Sequence, residues 1–391
     1  MPLLGRAIVA VGAALLIAVV VVRNAAVAQF AEVRPERALA AWPSNPRAEL
    51  WSGLTRIAAA TRAGQPVDRE TLALLADAAR KDPLAAEPFL VRGIQARLIG
   101  DEALAGNAFR AAVRRDGHSV PAHYFLADHD LRTGDAAHGL AEISVLARMV
   151  PNGIHSLAPF VASYAAGGGD AAQIRSLFRS NPPLADETLR VLATDAANSS
   201  LVLRLGPRHP APQSLWPAQL IDTLIRAGDY TGAERVWSST AGVHRPADAL
   251  IYDPAFDEPK APAPFNWALT SSALGLAERQ PGGSLHVLYY GQDDGVLASQ
   301  LLVLKPGSYR LRMQVAGDPG AATALTWTVT CANGSTSLLK VALAPQVDAA
   351  FTVPGNCPAQ RLELHGSAPE LPHTVDVTIS RLSLTRSGSD G

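Results

Sequence analysis

Cysteine is nearly absent: the 391-residue chain has 2, too few for a zinc ribbon or a disulfide-dense scaffold. Charge is scarce as well, at 18% of residues, and 34 basic against 35 acidic side chains leave a formal net charge of −1. That balance supplies no long-range field to draw the chain onto nucleic acid. Low charge combined with 48% hydrophobic residues excludes a disordered chain. Lysine accounts for only 4 of the basic residues (Lys81, Lys260, Lys305, Lys340), a compositional bias without functional weight. No His-x-x-x-His, His-Glu-x-x-His, Gly-x-Ser-x-Gly or Gly-x-x-x-x-Gly-Lys occurs, so zincin, serine-hydrolase and phosphate-loop chemistry lack a sequence basis. No metal or cofactor is expected. The length corresponds to two or three domains of about 150 residues.

What is present begins with a long apolar run. Ala7 to Val22 carries no charge and lies between Arg6 and Arg23. Its 16 residues are short of the roughly 20 that span a bilayer. Leu3, Leu4 and Ala25 to Ala28 extend it if the arginines snorkel. Residues 1–30 therefore read as a transmembrane anchor or a signal segment. In the cleaved reading, Arg6 ends the n-region and Ala26-Val27-Ala28 is the small-x-small site before Gln29. The length of the run and the position of Arg23 favour retention. Arg6 and the terminal amine oppose Arg23, Arg34 and Arg37, so charge does not set the orientation. Either reading exports the bulk of the chain.

Internal repetition comes next. Gly-Asp pairs fall at Gly100-Asp101, Gly134-Asp135, Gly169-Asp170 and Gly228-Asp229, separated by 34, 35 and 59 residues. Phe89, Gly93 and Ala96 share a helical face before the first pair, and Ala105, Phe109 and Ala112 do so after it. Around the second, Leu126 and Ala127 precede while Gly139, Ile143 and Leu146 follow. Around the fourth, Leu220, Ile221 and Leu224 precede Ala233 and Trp237. Small residues let paired helices approach, large ones fill the groove, and one hairpin cannot cover its own apolar face, so neighbours must stack.

These positions resemble the tetratricopeptide repeat. Residues 86–117 and 120–151 are the best copies, 155–182 is shortened, and 214–240 is recognisable. An earlier unit, 48–83, has Trp51, Leu54 and Ala58 in its first helix and an inserted Gly64-Gln65-Pro66 in its turn. Residues 182–212 break the period. Amphipathic bundling without repeats is the competing account. Gly167-Gly168-Gly169 reads as a helix terminator. Groove-facing candidates for binding a partner are Arg92, Gln95, His123 and Asp130, whose mixed charge points to a polar peptide.

Composition changes at 251–264, where Pro254, Pro259, Pro262 and Pro264 mark a proline-rich linker. Beyond it the hydrophobic period drops from near 3.6 to 2. Tyr309, Leu311, Met313 and Val315 alternate with Arg310, Arg312 and Gln314. Leu325, Trp327, Val329 and Cys331 alternate with threonines, and Val375, Val377 and Ile379 with Asp376, Thr378 and Ser380. Lys305-Pro306-Gly307 reads as a hairpin turn. The expected fold class is multidomain, α then β: an N-terminal transmembrane helix, a tetratricopeptide-like α-solenoid over 31–250, the linker, and a C-terminal jelly-roll-like β-sandwich over 265–391.

Cys331 ends one strand and Cys357 follows a turn 26 residues later. In an oxidising space they form one bridge, stabilising by roughly 3 kcal/mol; reduced, they are two buried small hydrophobes. Trp267, Tyr289 and Tyr290 are the glycan-binding candidates. Trp327 shares strand parity with Leu325 and Val329 and belongs to the core, and Tyr289 and Tyr290 point to opposite faces, so at most one is a platform on a given face. Asp253, Asp257 and Glu258, and separately Asp293 and Asp294, lie in turn-like segments where carboxylates make local hydrogen bonds. They do not form the facing pair of a glycosidase or a complete calcium loop, so no catalytic residue is assigned.

The stretch from Phe265-Asn266-Trp267 through Ser299-Gln300 to Pro306-Gly307-Ser308-Tyr309 looks like bacterial carbohydrate-binding-module-type sandwiches. Anchor, repeats and sandwich in that order resemble bacterial inner-membrane proteins associated with polysaccharide synthesis and export. The resemblance implies a non-enzymatic envelope scaffold, single-pass in the inner membrane with its bulk in the periplasm. It implies a protein partner on the repeats, a glycan contact on the sandwich, and no nucleic acid. One alternative is a lectin-like protein whose helices are spacers. Another, an envelope glycosidase or lyase, needs a constellation that the sequence does not assemble.

Overall fold

The computed structural model describes residues 2–63, 65, 67–243, 249–317, 324–371 and 373–387, with side chains from Gly12 onward except Thr61. Gly64 and Pro66 of the expected insertion lie outside the described residues. Two units are distinguished, Met1–Leu184 and Ala185–Gly391.

The first unit opens with α1 (Pro2–Phe30), a single helix of 29 residues, about 43 Å long at 1.5 Å per residue. Its Gly12–Phe30 window has mean hydropathy 2.0 and is 6% buried, long and apolar enough to cross a membrane by length and composition. The last turns of α1 do not fray into a linker. Val27 and Ala31 are buried against Ala38 of α2 (Pro35–Ala41) and Ala48 of α3 (Pro46–Arg62), with Phe30, Leu39, Trp42 and Trp51 around them. Glu32, just past α1, pairs with Arg47 of α3 at 2.7 Å.

Helices then pair along the chain: α3 with α4 (Arg69–Lys81), α5 (Glu87–Leu98) with α6 (Glu102–Arg115), and α7 (Val120–Arg132) with α8 (Ala136–Met149), followed by α9 (Gly153–Ala166) and α10 (Ala171–Ser180). The Gly-Asp corner explains the repetition. Gly100 and Gly134 adopt φ of 79° and 89°, the left-handed region open to glycine. The Asp101 amide then reaches the Ala96 carbonyl at 2.9 Å, and that of Asp135 the Asp130 carbonyl at 2.7 Å, closing the outgoing helix. The same aspartates cap the next helix, accepting from the amides of Leu104 and His138. One dipeptide both stops one helix and starts its partner.

Small residues sit where the helices close on each other. A Cβ added at Gly93 would overlap the ring of Phe109, and one at Gly139 would press on Leu131. Phe109 is fully buried. Gly93→Ala is accordingly expected to cost about 1–3 kcal/mol by overpacking, outweighing the helix-propensity gain of about 1 kcal/mol. Urea unfolding of the two proteins measures the difference, and a stabilised variant would contradict this packing.

The second unit begins inside α11 (Pro182–Leu192), continues through α12 (Ser199–Leu205), and places the hairpin α13 (Trp216–Arg226) and α14 (Tyr230–Ala241) in the same body as the strands. Two antiparallel sheets follow. One has five strands ordered β1-β5-β10-β7-β8, namely Ala268–Leu269, Gly295–Leu302, Gln360–Gly366, Leu325–Cys331 and Ser337–Ala342. The other has six ordered β2-β3-β4-β11-β6-β9, namely Ser271–Ser272, Gly275–Gln280, Ser284–Tyr289, Val375–Arg386, Gly307–Gly317 and Gln346–Val353. The core lies between them. The inward residues of β6, β7 and β11 are those of the expected alternation: Tyr309, Leu311 and Met313; Leu325, Trp327 and Val329; Val375, Val377 and Ile379.

Two expectations differ. Lys305-Pro306-Gly307 is not a hairpin turn: β5 pairs with β1 and β10, while β6 pairs with β11 and β9, so the segment carries the chain from one sheet to the other. The proline-rich stretch expected as a linker is built into the sandwich, with Ile251 and Phe256 in its core. Its polar groups are used internally. Asp253 accepts from the amides of Asp257 and Glu258 at 2.7 and 3.1 Å, and Asn266 donates to the carbonyls of Glu258 and Ala261. Buried Gln300 bonds both backbone groups of Tyr252. Prolines set the turns while these bonds satisfy the buried backbone. Cys331 and Cys357 are joined by a disulfide with Cα atoms 5.5 Å apart.

Candidate functional site

On the repeats, Tyr124, Asp128 and Arg132 recur every four residues along α7, which puts them on one helical stripe. Tyr124 is 54% exposed. Its ring meets Phe125 edge-on, and Phe125 in turn stacks on buried Phe109, so the exposed ring stands on a fixed base. Asp128 receives Arg97 of α5 at 2.7 Å and Arg132 at 3.2 Å. Arg132 also forks onto Glu102 at 3.0 and 3.3 Å, and that hydrogen bonding holds the Glu102 carboxyl below its ordinary range. Phe160 of α9 adds a second partly exposed aromatic, and Leu98 and Ile99 are exposed at the end of α5. The exposed Tyr124 ring and the pinned guanidinium–carboxylate ladder on the same α7 stripe form a surface able to hold a peptide by stacking and charge-assisted hydrogen bonds.

The four residues picked from sequence divide. Arg92 is exposed and Gln95 half-buried. His123 and Asp130 are buried between helices and present nothing to a partner. His123 is hydrogen-bonded to Glu142 and to the Gly117 carbonyl. Asp130 lies 3.6 Å from Arg110; burial pushes its pKa up, opposed by His129 and Arg110. A carboxyl whose folded pKa lies above its unfolded value favours the protonated form, so it subtracts from stability at neutral pH and the penalty fades as pH falls through the folded pKa. Asp130→Asn should therefore raise stability at neutral pH and lose that advantage in the mildly acidic range, read by urea unfolding at both. A loss at neutral pH would mean that the Arg110 pairing outweighs desolvation. Tyr124, Arg97, Asp128, Arg132 and Phe160 were missed. The signal for them was the four-residue spacing along α7 and the 36-residue interval from Tyr124 to Phe160.

On the sandwich, the glycan candidates also divide. Trp267 is buried, its indole donating to the Asp253 carbonyl at 2.8 Å and packing on Phe256 and Trp327. Tyr289 is fully buried and donates to the Asp293 carbonyl at 3.0 Å. Neither offers a ring face to a sugar. Tyr290 is exposed and by strand parity shares the outer side of the six-stranded sheet with His286 and Leu288. His286 lies between Glu278 and Asp376 at 3.2 and 3.0 Å. Asp294 accepts from the amide of Ala368 at 2.7 Å. Among the described residues no group of three or more His, Cys, Asp or Glu is placed to hold a metal ion.

No family model matches the chain, and no curated protein matches it in sequence. Solved structures similar to parts of it include a CBM4 structure (11% identity, 35% of this chain and 99% of that one, TM-score 0.28). TmCBM61 in complex with beta-1,4-galactotriose is another (14% identity, 36% and 99%, TM-score 0.24). Yeast Tom70 is a third (14% identity, 54% of this chain and 45% of that one, TM-score 0.28). Likenesses at this level identify neither a family nor a ligand.

Proposed function

We propose that this chain is a non-enzymatic scaffold held at the bacterial inner membrane by α1. Its bulk lies in the periplasm, and it serves polysaccharide synthesis or export. The helical repeats bind a protein partner, and the outer side of the six-stranded sheet adds a glycan contact. One observation carries the reading: the α7 stripe, where an exposed tyrosine stands on a buried aromatic stack beside the Arg97–Asp128–Arg132–Glu102 ladder. Rigid, exposed aromatic–arginine groupings are where binding energy concentrates in protein interfaces. Asp253 and Asp294 accept hydrogen bonds from backbone amides, which supports a structural role for these two carboxylates.

A photo-crosslinking residue at position 124, in full-length protein in its native membrane, is expected to give one discrete adduct with a polysaccharide-assembly component. The same residue at buried position 123 should give none. Diffuse adducts from both positions would refute the scaffold reading. The lectin-like alternative draws on Tyr290, the exposed one of the three aromatic candidates. If Tyr290→Ala abolishes glycan binding while position 124 yields no adduct, that alternative replaces the scaffold.

A further inference from the structure

The outer side of the six-stranded sheet is divided by charge. Toward β3 and β4 it carries Glu278, Asp376 and His286; toward β6 and β9 it carries Arg310 and Arg312, with Asp348 as the one carboxylate among them. Arg310 and Arg312 point the same way, about 6.8 Å apart along β6, and are 46% and 53% exposed. Both are held by Asp348. Arg310 donates to it through Nε and, at 3.0 Å, through Nη2, and Arg312 donates through Nε at 3.3 Å. A guanidinium has five N–H donors, so both keep terminal donors facing water in fixed planes. In register beside the two arginines on β11 stand Thr385, opposite Arg310, and Ser383, opposite Arg312.

We propose that this cationic half of the sheet binds a carboxylated polysaccharide, the guanidinium groups taking uronate carboxylates and the neighbouring Ser and Thr taking ring hydroxyls. The inference rests on the reading that the sandwich contacts glycan, and it supplies the class of glycan. Planar guanidinium forks match carboxylates two bonds at a time. A row of side chains on consecutive outward positions of a strand suits an extended polymer. Asp348 fixes the forks without cancelling them, leaving two cations against one anion. The outward positions of β6 and β9 are Ser, Arg, Gln, Asp, Ala and Thr and carry no aromatic, so single-stranded nucleic acid finds no surface on which to stack its bases.

The test titrates the full-length protein, in detergent, with polygalacturonate, dextran and single-stranded DNA. Polygalacturonate is expected to bind, with affinity falling as salt rises, and dextran at least about tenfold more weakly. Arg310→Gln with Arg312→Gln should lose about tenfold or more for polygalacturonate. The lysine pair, which keeps the charge and removes the fork, should lose several-fold. Circular dichroism confirms that the variants fold. If dextran binds as well as polygalacturonate and the variants change nothing, the anionic-ligand inference falls while the glycan reading stands. If DNA binds as tightly as polygalacturonate, the surface is a general polyanion site and the inference falls. If no polysaccharide binds, both the inference and the glycan reading fall.

Discussion

Trp237→Ala is expected to cost about 3–5 kcal/mol and to loosen the α13–α14 hairpin and the β-sandwich together. Trp237 is 1% exposed, although it lies on a helix that the sequence periodicity gives to the repeats. Its indole donates to the Pro262 carbonyl at 2.7 Å, its ring meets Tyr252 edge-on at 5.0 Å, and Phe265 tilts against it at 5.7 Å. Tyr252 is clamped by Gln300 of β5. Truncation thus leaves a large void and an unmet carbonyl at the seam between helix and strand. Hydrogen exchange read on peptides from α13–α14 and from β5 should show both exchanging faster, with the same opening energy. Acceleration confined to the helical peptides would show that the seam is not cooperative.

Cys331→Ala with Cys357→Ala is expected to cost roughly 3 kcal/mol by freeing the 26-residue loop in the unfolded chain. Both sulfurs are buried, so the cavity left behind adds to the loss. The loop holds β8 of one sheet and β9 of the other, and its closing turn is also held by Asn333 donating to the Asn356 carbonyl at 3.1 Å. Thermal unfolding of the wild type under strong reductant should approach that of the double variant. If reductant leaves the wild-type transition where it was, the bridge does not carry this stability.

The helical half was legible because a single dipeptide does two local jobs. Glycine supplies the left-handed residue and aspartate the next cap, neither of which depends on distant contacts. Alternation made β6, β7 and β11 equally plain, and parity correctly put Trp327 inside and set Tyr289 against Tyr290. What parity could not show was which side of a strand is covered. Tyr289 lies on the core side and Tyr290 on the water side, a choice fixed by the opposing sheet. Trp267 was misassigned for a similar reason: its cover, Phe256, comes from the proline-rich stretch, and prolines advertise irregular backbone without revealing that the irregular segment is packed. His123 and Asp130 look like solvated helix residues, yet their partners Glu142 and Arg110 come from neighbouring helices. The switch of sheet at Pro306 was hidden because a turn and a crossover share the same residues.

The burial of Val27 and Ala31 beneath α2 and α3 has a mechanical consequence. A bilayer's hydrocarbon is about 30 Å thick, so in the proposed anchored arrangement an α1 of about 43 Å is longer than the span, and its last turns are the ones gripped by α2 and α3. No swivel separates the mast from the deck. With α1 anchored as proposed, a lean of the mast would be passed directly to α2 and α3 through the packing of Val27 and Ala31 on Ala38 and Ala48.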